Sequence, residues 1–326
     1  MSRILRIGTR DSQLAVWQAT LVQDLLKAQG VASELVYIKS EGDIDTVTPL
    51  YALGVQGVFT RSLDAALLSE RIDIAVHSMK DVPTQLAQGI IENAVLERAS
   101  TKDILVYKND SDLDALGFES GTWRETVAGE AFTIHDSRFT IGTSSIRRIA
   151  QWKHRYPNTE VENLRGNVNT RLRKLSESNW TGAIFAAAGL ERIHLRPETS
   201  VDLDWMLPAP AQGAIMIVCR EGDSEAYEAA RPLNHPETAL CARIEREFLR
   251  TLMGGCSTPI SALARIEFAQ VRFEGNICMP DGSGIVEIRK TTDIALSNTL
   301  GVDAAHEILK DPKGQKIVQD IRNAKS

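Results

Sequence analysis

The sequence predicts an α/β protein of two lobes with mainly parallel sheets, followed by a small α+β C-terminal domain. Three observations predict it. Apolar β-type segments alternate with amphipathic helical ones through the first two thirds, which is the pattern of a parallel sheet covered on both faces. A strand–Gly-Thr–Ser–helix layout at Ile7-Gly8-Thr9-Arg10-Asp11-Ser12 returns at Ile141-Gly142-Thr143-Ser144-Ser145. The last third changes character, with three strand-like runs and then a helix. A chain of 326 residues also exceeds one ordinary core and suits two or three domains.

Taken in order, Ile4 to Ile7 reads as a strand, and Asp11 or Ser12 caps a helix in which Leu14, Trp17, Leu21 and Leu25 recur at helical spacing. Leu35 to Ile38, Ile72 to Val76 and Ile104 to Tyr107 are strands, and Ser62 to Ser69 is a helix. Phe139-Thr140-Ile141 is a short strand, followed by a hydroxyl-rich turn and a helix opening at Ile146. Val161 to Leu164 is a strand, and the turn from Arg165 to Arg171 leads into a helix that runs to Leu175. Pro208 and Pro210 stiffen a crossing between lobes ahead of the strand Ile215 to Val218. Helices follow at Glu221 to Ala230 and Glu237 to Leu252. Around Pro280-Asp281-Gly282, the runs Ile260 to Glu267, Gln270 to Cys278 and Gly284 to Lys290 read as antiparallel strands, and Val302 to Leu309 as a last helix. The expected division is a first lobe of residues 1–106 with 210–231, a second of 107–209 and a C-terminal domain of 232–326.

A net charge of −6 argues against general affinity for nucleic acid or membranes. No stretch reaches the roughly 18 apolar residues of a membrane span, and the start runs into a strand pattern without a signal-type apolar region. The expectation is a soluble, cytoplasmic monomer acting on a small molecule. Cys219, Cys241, Cys256 and Cys278 are scattered without a C-x-x-C pair, so neither a metal site nor a disulfide framework is indicated.

The positive charge is uneven, because Arg147, Arg148, Arg155, Arg165, Arg171, Arg173, Arg192 and Arg196 crowd one stretch. Arg155, Arg173 and Arg196 suit a solvated helix face. The others stand at turns that open helices, where free N–H groups and the helix dipole favour anions. At the carboxyl ends of parallel strands such turns face the cleft where open α/β sheets bind ligands. A small, multiply anionic ligand is therefore expected. His77-Ser78-Met79-Lys80-Asp81-Val82-Pro83 also follows a strand. A carboxylate at Asp81 among cations could accept a hydrogen bond from a substrate N–H and stabilise a cation forming there, while His77 reads as a packing residue. Cys256, preceded by Gly254-Gly255, is a sterically open thiol just after a helix. A two-lobed anion-binding protein without catalysis would explain the arginines but neither Cys256 nor Asp81. A nucleic-acid regulator is opposed by the acidity and by the lack of aromatic residues among the arginines.

Arg10 and Ser12, His77 to Pro83, Gly142 to Arg148, Leu164 to Arg171, Gly189 to Arg192, Ala211 to Ala214 and Gly254 to Ile260 occur in the order of the motifs of the porphobilinogen deaminase (hydroxymethylbilane synthase) family, which the chain resembles over nearly its whole length. The resemblance implies two periplasmic-binding-protein-like lobes, a small third domain and a dipyrromethane cofactor thioether-linked to Cys256. It implies that Asp81 is the catalytic carboxylate. Lys80, Thr143, Ser144, Ser145, Arg147, Arg148, Arg165, Gly166 and Gln212 would hold the cofactor, and Arg10, Ser12, Arg165, Arg171 and Arg192 the substrate. The implied reaction joins four porphobilinogens head to tail with loss of ammonia, without a metal, and releases a linear tetrapyrrole. Two features depart from the family pattern: Ala52 and Gln56 replace common lysines, and an insertion lies between Leu116 and Arg138.

Overall fold

The computed structural model describes residues 3–39, 60–116, 118–119, 122–123, 139–252 and 258–323. Cys256, Ala52, Gln56 and most of the insertion lie outside the described residues. Within the insertion, Phe118–Glu119 and Thr122–Trp123 pair as two short antiparallel strands.

The first sheet has the order Ser33–Tyr37, Leu5–Thr9, Ile74–Ser78, Ile215–Arg220 and Ile90–Val95. Its first three strands are parallel, and Ile215–Arg220 runs antiparallel to both neighbours. The second sheet, read as Glu160–Glu162, Thr140–Gly142, Gly182–Ala186, Asp103–Tyr107 and Ser200–Asp202, repeats that arrangement strand for strand. In each lobe the one antiparallel strand is the first that the chain forms after crossing from the other lobe. The repeated Gly-Thr motif therefore marks equivalent strands of two like-folded lobes, and the sheets are mixed rather than wholly parallel.

Strand Asp103–Tyr107 pairs entirely within the second sheet, so the first crossing falls before residue 103 and not at 106. Strand Ile74–Ser78 sits two residues later than the apolar run suggested, because Asp73 is buried by the Arg6 guanidinium and backbone rather than by apolar neighbours. Among the described elements, the sequence patterns did not mark strands Ile90–Val95, Gly182–Ala186 and Ser200–Asp202, nor helices Asp110–Ala115, Ala187–Glu191 and Pro312–Asn323. The first helix, Gln13–Ala28, buries Gln18, Ala19, Val22 and Leu26, with Trp17, Leu21 and Leu25 flanking that stripe. The helical period was right and the most buried face lies one residue along.

In the C-terminal domain Ile260–Glu267, Gln270–Cys278 and Ile285–Asp293 form an antiparallel sheet, packed on helices Pro236–Leu252, Leu300–Lys310 and Pro312–Asn323 around a core that includes Ile244, Phe248, Phe273 and Ile308. This domain is tied to both lobes. Glu245, fully buried, accepts from Arg98 Nη1 and Nη2 at 2.7 and 2.9 Å, from the Ala211 N–H at 2.6 Å and from the Ala264 N–H at 2.7 Å. Gln151 of the second lobe donates to Ser261 Oγ at 3.0 Å. Where the two crossing segments meet, Gly213 has φ +87°, and a Cβ there would lie 2.6 Å from the Ala99 carbonyl oxygen. Only glycine allows so close an approach at that φ.

A cationic cleft between the lobes

Parallel neighbours end at the same sheet edge, so the loops after Leu5–Thr9 and Ile74–Ser78 lie side by side. The first holds Arg10 and Ser12, and Ser12 is the N-cap residue of helix Gln13–Ala28 without a side-chain cap bond. The second is a single 3-10 turn, Met79–Asp81, anchored by the Met79 N–H to the Ala214 carbonyl at 3.0 Å. On the second lobe the loops after Thr140–Gly142, Glu160–Glu162 and Gly182–Ala186 likewise share an edge. They present Thr143 to Arg148, Arg165 to Arg171, and the turn of helix Ala187–Glu191 that leads to Arg192.

The two edges converge. Arg171 feels the charges of Asp81 and Arg10 from the first lobe and of Arg148 and Arg165 from its own, and burial pushes its pKa down to about 10, so it stays cationic at neutral pH. Arg171 Nε donates to the Gly166 carbonyl at 2.7 Å. Gly166 has φ +113°, and a Cβ there would meet Thr170 at 2.7 Å, which explains the glycine at this turn. His77 is buried, and burial with the nearby Arg10 holds its pKa down to about 4. Its ring is neutral at pH 7, in keeping with a packing role.

One group central to this arrangement was missed in the sequence. Asp103, fully buried, accepts from Arg147 Nη2 at 2.6 Å, Arg148 Nη2 at 2.8 Å and Gln212 Nε2 at 2.9 Å. The two arginines hold its carboxyl well below the usual carboxylate range against the opposing cost of burial. Arg147 and Arg148 are buried too, and each donates once more to a backbone carbonyl, of Leu207 and Ile184. One Nη of each guanidinium is thus engaged by Asp103. A charged residue opening the apolar strand Asp103–Tyr107 was the available signal. Gln212, on the returning crossing, links Asp103 to Lys80 by accepting from Lys80 Nζ at 3.2 Å.

Thr143 is buried, and its Oγ1 accepts from the Ser145 N–H at 3.3 Å, while Ser144 Oγ donates to Asn163 Oδ1 at 2.5 Å. Arg192 donates to the Gly213 carbonyl at 2.7 Å and lies over the Trp17 ring at 5.6 Å. It therefore bridges the second lobe to the first and to the crossing, and burial lowers its pKa to about 10.

The residues present fit a polyanionic group. Among the described residues, the charges that act on one another here are those of Arg10, Lys80, Arg147, Arg148, Arg165 and Arg171 and of the carboxylates Asp81 and Asp103. The Nε groups of Arg147 and Arg148 are buried without a hydrogen-bond partner among the described residues, a state that costs about 1–3 kcal/mol per group. Among the described residues, no group of His, Cys, Asp and Glu could hold a metal ion, and no helix is long and apolar enough to cross a membrane.

Lys80 carries a pH signature. Burial, reinforced by Arg148 and Arg147 and offset by Asp81 and Asp103, pushes its ammonium pKa down to about 8. The charge is present below that pH and lost above it. The hold of the cleft on anionic groups weakens with that loss, so kcat/KM is expected to fall as pH rises through about 8. Lys80→Arg, which keeps its proton, should move that limb upward. An identical alkaline limb in Lys80→Arg would assign the titration elsewhere.

Two like-folded lobes meeting at a cationic cleft, with a third domain tied to both, define a two-lobed protein built to hold small polyanions. The chain belongs to the porphobilinogen deaminase family. Residues 5–228 match the family model described as "Porphobilinogen deaminase, dipyromethane cofactor binding domain", and 239–310 match "Porphobilinogen deaminase, C-terminal domain". It is 42% identical over 316 residues to a chloroplastic porphobilinogen deaminase of Oryza sativa subsp. japonica, covering 94% of this chain and 83% of that protein. A porphobilinogen deaminase of Syntrophotalea carbinolica is 38% identical over 312 residues, covering 94% and 93%. Among solved structures, the VFT2 domain of Bordetella pertussis BvgS is similar at a TM-score of 0.39 and 13% identity, over 71% of this chain and 86% of that one. The fold assignment rests on the strand order given above.

Proposed function

We propose that this chain is a deaminating, carbon–carbon bond-forming transferase that joins four porphobilinogen molecules head to tail and releases hydroxymethylbilane, the linear tetrapyrrole of haem and porphyrin biosynthesis. Family membership supports the reaction. The observation that carries it to this cleft is the meeting of one carboxylate, Asp81, with cations from both lobes, Arg10 and Lys80 on one side and Arg148, Arg165 and Arg171 on the other. Each porphobilinogen brings two carboxylates, so a growing chain needs many such partners.

The division of labour is the one that resemblance to the family implies. Arg147, Arg148, Arg165, Lys80 and Gln212, with Thr143, Ser144, Ser145 and the Gly166 turn, would hold the carboxylates of a dipyrromethane attached at Cys256. When bound, that group supplies the pyrrole carbon to which the first substrate is joined and keeps the product tethered. Arg10, Ser12, Arg165, Arg171 and Arg192 would hold the incoming substrate. Asp81 accepts the substrate pyrrole N–H and stabilises the cation left when the C–N bond breaks and ammonia departs. After the new C–C bond forms, Asp81 assists removal of the proton from the coupled ring carbon, which restores aromaticity. Water supplies the hydroxyl on release.

The same reading divides the chain into three working units, two substrate-gripping lobes and a C-terminal domain that carries the primer. A cytoplasmic monomer is the setting we infer. It is supported by the net charge of −6 and by Cys219, Cys241 and Cys278, all free and buried, which suit a reducing compartment.

Intact mass tests the proposal. Wild type is expected to carry the added mass of two linked pyrroles, restored by porphobilinogen if it has been lost, while Cys256→Ser carries none and does not turn over. A wild type that stays unmodified after incubation with porphobilinogen would leave a two-lobed binding protein without catalysis as the better reading.

A further inference from the structure

The loop that carries Asp81 is gripped from outside its own lobe. Arg246, on helix Pro236–Leu252 of the C-terminal domain, donates Nη1 to the Val82 carbonyl at 2.9 Å and to the Met79 carbonyl at 3.3 Å, and Nη2 to the Pro83 carbonyl at 2.7 Å. These carbonyls bracket Asp81 on both sides. The planar fork is needed for this, since one guanidinium reaches three acceptors that no single ammonium could bond in the same geometry. The neighbouring residue, Glu245, fixes the same helix to Arg98 and to the Ala211 N–H of the returning crossing. The helix that ends at Leu252, just before Cys256 in sequence, is thereby held in register with the loop of Asp81.

We propose that Arg246 is a positioning residue that fixes Asp81 relative to the C-terminal domain bearing the primer. The inference rests on the function proposed above. A carboxylate that must meet a pyrrole N–H at every addition gains nothing from proximity unless its loop keeps one distance from the tethered chain, and a misplacement of about 1 Å costs on the order of a hundredfold in rate. Arg246 also lines a cavity of about 480 Å³ beside this loop, bounded by Met79, Thr84, Glu92, Leu240 and Arg250. That space can admit a small cation when the side chain is cut back.

The experiment compares wild type, Arg246→Lys and Arg246→Ala, with kcat counted per dipyrromethane-loaded chain from intact mass, alongside KM and Tm. The expected result is a fall of tenfold or more in kcat for Arg246→Ala with KM nearly unchanged, a smaller fall for Arg246→Lys, and partial recovery of Arg246→Ala on adding millimolar guanidinium. An unchanged kcat per loaded chain would overturn the inference. So would a loss confined to cofactor loading or Tm without recovery by guanidinium, which would make Arg246 a structural tie only. Failure of wild type itself to load primer or to polymerise porphobilinogen would instead remove the underlying function, so the two failures are read from different samples.

Discussion

Asp81→Asn is expected to lower turnover by about 10²–10⁴-fold, the range for loss of a positioned proton-transfer group, while leaving cofactor loading and Tm close to wild type. Asparagine keeps the shape of the side chain and can still accept a hydrogen bond from a pyrrole N–H. It cannot neutralise a cation forming on the substrate, nor take up the proton lost after coupling. The surroundings sharpen the effect. Lys80 and Arg171 both feel the Asp81 charge, so removing it leaves the cleft more positive at the point where a cation must form. Mass analysis after a single pulse of substrate separates the steps: the variant should show primer with little elongation. Near-normal turnover would assign the charge stabilisation to another group.

Glu245→Gln carries the largest expected effect on stability. The carboxylate accepts four hydrogen bonds, two from Arg98, one from Ala211 and one from Ala264, and is fully buried. An amide must turn its NH2 toward at least one of these donors and leaves the Arg98 guanidinium without its counter-charge. Breaking a buried pair of this kind costs about 3–5 kcal/mol, or roughly 10 °C in Tm at about 2–4 °C per kcal/mol. The three bonded segments belong to the outgoing crossing, the returning crossing and the C-terminal sheet, so the loss should also loosen that domain and reduce turnover. A Tm within two degrees or so of wild type would show that the joint is held elsewhere, with Gln151 and Ser261 the next tie to test.

The two predictions separate what can be read along the chain from what cannot. Asp81, Arg165 and Arg171 stand in local motifs, each within a few residues of a strand end or a helix start, Cys256 follows a helix in sequence, and motif order sufficed to place them in one family. The equivalence of Gly8-Thr9 and Gly142-Thr143 was also visible, because both turns meet the same local demand of ending a strand and opening a helix. Asp103 and Glu245 were not visible. Each looks like an ordinary charge at a strand start or on a helix, and its meaning lies in charged partners far along the chain, as the Arg147 and Arg98 contacts show.

By itself, the sequence determined the class of the fold, its two like lobes and the excess of cationic residues at the turns that line the cleft, since hydrophobic period, turn residues and charge type are local properties. Tertiary structure alone decided which arginines are held by Asp103, that the first crossing precedes Asp103, and that a C-terminal helix grips the Asp81 loop through Arg246. Those outcomes depend on closing long loops. A buried charge is tolerable only where the packed fold supplies its partner, and a single chain position does not say which distant residue that partner is.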